Sequence, residues 1–211
     1  MDFLKFKDIV AGRPLFSGRD IVRETGGGQA LRNQIVRWQK RGLLIPLKKG
    51  FYTLRTSERR VECDPRVVAR MIYPPSYISL ETALSFYDMI PERVVEVTSL
   101  TTLKTASFQT ALGRFTYRHI KPEAFSGFTL QEVPAGTFFL AGPEKAVVDF
   151  IYFNLKSIAP APREALENSY RFQNMEDLAS DRILESGRLF DNAALMRVLT
   201  VVAAWVGDMK S

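Results

Sequence analysis

The sequence predicts an α+β protein in two parts: a small helical unit closed by a hairpin, then a larger mixed α/β unit. Three observations carry this. First, 46% hydrophobic and 25% charged residues over 211 positions give enough apolar material for a real core and exclude a disordered or low-complexity chain. Second, apolar spacing is helical in the first third, alternates between about 94 and 141, and is helical again to the end. Third, the charge is lopsided. Residues 1–60 hold 14 Lys/Arg against 5 Asp/Glu, a net of +9, whereas residues 61–211 hold 15 against 18, a net of −3.

The elements follow in order. Phe3, Leu4, Ile9 and Val10 make a short amphipathic helix, ended by Gly12 and Pro14. Ser17 is the N-cap of a second helix through Thr25, which Gly26-Gly27-Gly28 stops. From Gln29 to Arg41 a third helix places Leu31, Ile35 and Trp38 on one stripe, with Gln29, Arg32, Asn33, Arg37, Lys40 and Arg41 on its other faces. Leu43 to Leu47 and Phe51 to Leu54 flank Lys48-Lys49-Gly50 as a β-hairpin, and Pro46 makes its first run an edge strand. Helix, helix, glycine turn, polar-faced helix and basic hairpin is the order of a winged helix-turn-helix, assigned to residues 1–56.

Ser57-Glu58-Arg59-Arg60 reads as a linker to a mixed α/β domain at 61–211. Asp64-Pro65 opens a helix to Ile72, and Ser79 caps another from Leu80 to Met89. Val94–Leu100, Arg114–Ile120, Phe128–Val133 and Thr137–Ala141 alternate as strands. Gly142-Pro143-Glu144 starts a helix to Phe153 that is apolar nearly all round and therefore central. Asp191 is expected to cap a last helix whose Leu195, Val198, Leu199, Val202 and Val206 share a face. No internal repeat is visible.

A small cationic module suits a polyanion, because each phosphate it neutralises releases counterions. On the third helix, Arg32, Asn33 and Arg37 are expected at base edges, since Asn and Arg carry paired groups that match adenine and guanine in the major groove. Gln29 and Arg41 are expected at phosphates, with Lys48 and Lys49 at the hairpin tip on the adjacent backbone; Arg55, Arg59 and Arg60 either extend that track or solvate the linker.

Chemistry-bearing residues are otherwise sparse. One cysteine, Cys63, provides neither a disulfide framework nor a multi-Cys zinc site and fits a reducing cytoplasm. His119 is the sole histidine, set in an alternating strand. Glu144 and Asp149 read as a first-turn helix charge and a buried carboxylate in need of a partner, rather than as an acid–base pair. Gly26-Gly27-Gly28 lacks the Lys-Ser/Thr of a phosphate loop. The expectation is a non-enzyme without cofactor or metal. Met1–Val10 lacks a signal-peptide core, and the apolar stretch 193–206 is short and contains Arg197, so no membrane association is expected.

Leu31 through Gly42, running into Lys49-Gly50-Phe51-Tyr52, resembles the winged-helix start of AbiEi-type antitoxins of abortive-infection (type IV) toxin–antitoxin systems. Ser76-Tyr77-Ile78-Ser79-Leu80-Glu81-Thr82-Ala83-Leu84 resembles the start of that family's second domain, and Pro143-Glu144-Lys145-Ala146-Val147-Val148-Asp149 its Pro-Glu-Lys helix. The matches span roughly residues 30–155; the glycine run departs from the pattern, and the last quarter carries no matching motif. The resemblance implies a cytoplasmic phage-defence antitoxin. Its first domain would bind operator DNA and repress transcription of its own operon, and its second would counteract a cognate nucleotidyltransferase-like toxin. Trp205, in the nearly all-apolar run 201–205, is a possible partner surface. Two other readings stand beside this one: a stand-alone winged-helix regulator with a ligand-sensing second domain, and a nucleic-acid-processing enzyme.

Overall fold

The fold is that of a computed structural model, which describes residues 1–210. It is a mixed α+β protein whose buried apolar residues fall into two clusters.

The first cluster is built by α1 (Phe3–Val10), β1 (Phe16–Ser17), α2 (Gly18–Thr25), α3 (Gly28–Lys40), β2 (Leu44–Lys48) and β3 (Phe51–Leu54). Phe6, Phe16, Ile21, Leu31, Ile35, Trp38, Leu44 and Leu54 fill it, with the Phe6 and Trp38 rings 4.6 Å apart. The three strands order β1-β3-β2, all antiparallel, so β2 lies at an edge as Pro46 requires. β1 was not foreseen: two residues leave no alternation to detect. The turn between α2 and α3 is shorter than three glycines suggest, because Gly28 already belongs to α3. Gly26 sits at φ +64°, where a Cβ would be strained.

The second cluster holds α4 (Pro65–Ile72), β4 (Ser76–Ile78), α5 (Leu80–Phe86), β5 (Val97–Thr101), β6 (Ala106–Thr110), β7 (Gly113–His119), β8 (Phe128–Val133) and β9 (Gly136–Ala141). α6 (Pro143–Phe153), α7 (Leu155–Ile158), α8 (Pro162–Glu164, continuing into a π-helical turn over Ala165–Ser169), α9 (Ser180–Arg188) and α10 (Ala193–Asp208) follow. The sheet is six-stranded and mixed, ordered β6-β7-β5-β4-β9-β8 with parallel β4/β9 and β5/β7 pairs. Residues Glu144 to Ile151 of α6 are buried without a break, which makes it the central helix. α9 and α10 meet at Gly187, where a Cβ would stand 2.2 Å from Leu199 Cδ1.

Several sequence expectations need correction. Asn192, not Asp191, caps α10, its side chain accepting from Leu195 N at 3.0 Å. Ser79 precedes α5 but makes no side-chain cap; its hydroxyl is drawn to Asp149 instead. β4 and β6 were missed, the first because it is three buried residues without alternation, the second because Ala106-Ser107 opens it weakly. β5 begins at Val97 rather than Val94, and α5 ends at Phe86 rather than Met89.

The clusters meet where Leu15 and Leu47 leave the first unit and pack into the second. Leu47 does so because the β2/β3 register shifts between Pro46 and Lys48, a bulge that turns this end of β2 toward β6.

Candidate nucleic-acid interface

α3 buries Leu31, Ile35 and Trp38 and exposes Gln29, Asn33, Val36 and Lys40 along the opposite stripe, spaced 4, 3 and 4 residues. Arg32 and Arg37 flank that stripe, also exposed, and Arg41 follows at the helix end. Gln29 Nε2 donates to Asn33 Oδ1 at 3.0 Å, so the two amides are held as a pair one turn apart. Of the seven residues expected to touch DNA, five (Gln29, Arg32, Asn33, Arg37 and Arg41) are thus brought together on one exposed helix, and Lys49 is exposed at the hairpin turn beside Gly50.

Lys48 is turned the other way. Its ammonium donates to the Ile72 carbonyl at 3.0 Å and lies near the Phe51, Tyr73 and Phe108 rings. Burial there pushes its pKa down. The bulge at Leu47 explains the difference from Lys49, since it sends the Lys48 side chain toward α4 and β6.

Ion pairing divides the basic residues of the first unit. Lys7 pairs with Glu58, Arg13 with Glu24, Arg55 with Glu58 and Arg60 with Asp8. Arg59 bonds to Cys63 Sγ and Thr56 Oγ1. Arg60 thus ties the linker to α1, while Arg55 and Arg59 are engaged within residues 55–63. Among the described residues no salt bridge engages Arg19, Arg23, Arg32, Arg37, Lys40, Arg41 or Lys49. These cations lie on α2, on and just after α3, and at the hairpin turn; exposed Lys5 on α1 is likewise in no salt bridge.

Between these elements lies a cleft of about 330 Å³ lined by Gly18, Arg19, Arg32, Ile35, Val36, Gly50 and Tyr52. Gly18 lets β3 close on the start of α2: its N–H donates to the Gly50 carbonyl at 2.9 Å, and a Cβ would meet the Tyr52 ring at 3.2 Å. Arg19, Val36 and Lys40 were not among the expected contact residues. The opposite-stripe spacing from Leu31, Ile35 and Trp38 would have found the last two; Arg19 needed the tertiary fold.

The other candidate groups have separate engagements. Asp149, fully buried, accepts from Lys145 Nζ, from Ser79 Oγ at 2.7 Å and from Tyr77 OH at 3.0 Å. Burial pushes the Asp149 carboxyl up and the Lys145 ammonium down, and their mutual attraction opposes both. Glu144 accepts from Ala179 N at 3.1 Å, so the two carboxylates serve different partners. The segments 76–84 and 143–149 therefore meet in one buried polar knot. His119 is exposed, its Nδ1 3.0 Å from the Leu103 carbonyl. Among the described residues no group of His, Cys, Asp and Glu is arranged to hold a metal, and no helix is long and apolar enough to cross a membrane. Trp205 is 4% exposed and lies in the core, contrary to its assignment as a possible partner surface; Val201, 46% exposed, is the large apolar side chain that α10 turns outward.

The chain matches no family model and no curated protein.

Proposed function

We propose that residues 1–56 form a winged helix-turn-helix that binds duplex DNA with α3 in the major groove and the β2–β3 hairpin as its wing. The observation that carries this reading is the sorting of charge. Within residues 1–60, Lys7, Arg13, Arg55 and Arg60 pair with carboxylates and Lys5, Lys48 and Arg59 do not, while every lysine and arginine on α2, on and beside α3, and at the hairpin turn lacks such a partner. A surface that keeps adjacent unpaired cations repels itself until an anion arrives, and a phosphate backbone supplies anions at regular spacing. Asn33 and Arg37 share that surface and have the donor and acceptor groups that base edges require.

With operator DNA in this role, the resemblance to AbiEi-type antitoxins gives the fuller proposal: a cytoplasmic repressor of its own operon that also neutralises a nucleotidyltransferase-like toxin, without catalysis of its own. The domain division is then 1–56 for DNA and 61–211 for neutralisation, in line with the two apolar clusters. One observation favours a second reading, a ligand-sensing regulator. A cleft of about 440 Å³ in the larger unit is lined by apolar and aromatic side chains, among them Ile90, Phe150 and Tyr170, together with the charged Glu81, Glu92, Arg93 and Glu96.

Two measurements on the full chain test the proposal. DNA affinity measured from 50 to 300 mM salt should fall with a logarithmic slope of about −4 to −5, corresponding to about five phosphate contacts; a flat response would overturn DNA binding. Co-expression with a neighbouring nucleotidyltransferase gene should restore growth of a host that the neighbour alone arrests. Failure of rescue in that host would leave the sensor reading in its place.

A further inference from the structure

Val36 is the one aliphatic side chain on the outward stripe of α3, and it is 47% exposed. Its neighbours one turn away are Arg32 and Lys40, with Asn33 and Arg37 beside it. A surface helix gains nothing from an exposed β-branched residue among cations: valine is a poorer helix former than lysine or glutamine, and its methyls remain in water. The position also lines the cleft formed with Arg19, Arg32, Ile35 and Tyr52, so Val36 shares it with apolar and aromatic side chains and with two guanidinium groups that are in no salt bridge.

We propose that Val36 reads the 5-methyl group of a thymine, so that the DNA bound by this protein carries a thymine at the centre of the α3 contact. The inference rests on the DNA-binding reading above and adds which base the helix selects. The 5-methyl of thymine is the one apolar group that the base edges offer in the major groove. A residue that selects it has to be small, apolar, exposed and placed in the middle of the groove-facing stripe. Val36 meets each condition. Arg32, expected from the sequence at a base edge, instead shares the cleft with Arg19, and the two are placed for the phosphates of the strand that passes there, which sets the depth at which Val36 meets the base edge. Asn33, three residues before Val36, lies along the same face and reaches a base pair next to the thymine. Its Oδ1 already accepts from Gln29, and a carboxamide fixed in this way presents Nδ2 as a donor to a purine N7.

The test begins with selection of bound duplexes from a random pool by the full chain, followed by a thermodynamic cycle. Each thymine common to the selected duplexes is replaced in turn by deoxyuridine, which removes only the methyl. Affinities are then measured for the wild type and for Val36→Ala. This substitution is at an exposed helix position and raises helix propensity, so the fold is retained. At one thymine the wild type should lose roughly fourfold in affinity on loss of the methyl, as expected for one methyl-sized group returned to water. Val36→Ala should bind the thymine and deoxyuridine duplexes nearly equally. If DNA is selected but every deoxyuridine replacement affects both proteins alike, the thymine assignment is overturned and DNA binding stands. If no duplex is retained at low salt, the DNA-binding reading fails and the assignment fails with it.

Discussion

The Lys48 ammonium donates to the Ile72 carbonyl across the junction of the two units, 3.0 Å away and close to three aromatic rings, while its neighbour Lys49 is exposed at the hairpin turn. Two adjacent lysines thus have different duties, and they should separate in experiment. Lys49→Ala is expected to reduce the salt slope of DNA binding by about 0.9, one phosphate contact. Lys48→Ala should leave the slope unchanged and cost about 1 kcal/mol of stability through the lost cation–π and carbonyl contacts. Equal loss of slope in the two variants would show that Lys48 leaves its aromatic surroundings to reach DNA.

The lysines also show what the sequence could and could not convey. The hairpin was legible because Pro46 and Gly50 have strong local preferences, and α3 was legible because Leu31, Ile35 and Trp38 keep helical spacing. The bulge at Leu47 was not, since a one-residue register shift leaves no trace in apolar periodicity yet redirects Lys48. Likewise Asp149 announced itself as a polar residue in an apolar run, but its partners Tyr77 and Ser79 lie some 70 positions earlier in the chain. Burial of α10 was readable as a pattern, whereas the side of it that carries Trp205 depended on how α9 and α8 pack against it.

Lys145 and Asp149 form a buried ion pair four residues apart on α6, further bonded to Tyr77 and Ser79. Removing one partner leaves the other charge buried alone, so Asp149→Ala and Lys145→Ala should each cost about 3–5 kcal/mol in urea unfolding. The double replacement by Leu at 149 and Met at 145 should cost less than either single change. A double variant as unstable as the sum of the singles would mean that the two side chains contribute independently, through packing rather than as a pair.

Asp64 caps α4, accepting from Arg66 N at 2.8 Å and from the Arg66 guanidinium. Partial burial pushes its carboxyl up, but those donors outweigh it and hold the pKa below the usual carboxylate value. A carboxyl with a depressed folded pKa stabilises fully above its unfolded pKa of about 3.9 and loses that contribution as pH falls through the folded value. Between pH 5 and pH 2 the wild type should therefore lose more stability than Asp64→Asn, which keeps a capping oxygen but no titrating group. Parallel unfolding curves across that range would assign the acid sensitivity to other carboxylates.

Trp205 fills the core beside Arg163, whose guanidinium carbon lies 5.6 Å from the ring, whereas Val201 on the same helix faces outward. A charge at the first position and one at the second should have opposite consequences. Trp205→Glu buries a carboxylate without a designed partner and removes a large core side chain, a change of the class that costs 3–5 kcal/mol or more, so loss of DNA binding together with loss of cooperative melting is expected. Val201→Glu should melt like the wild type and bind DNA with the same salt slope, because that side chain is exposed and belongs to neither apolar cluster. That makes Val201→Glu the informative variant for toxin rescue. Retained rescue would place the neutralising surface away from α10, while lost rescue in a protein that still melts cooperatively and binds DNA would place it on the Val201 face.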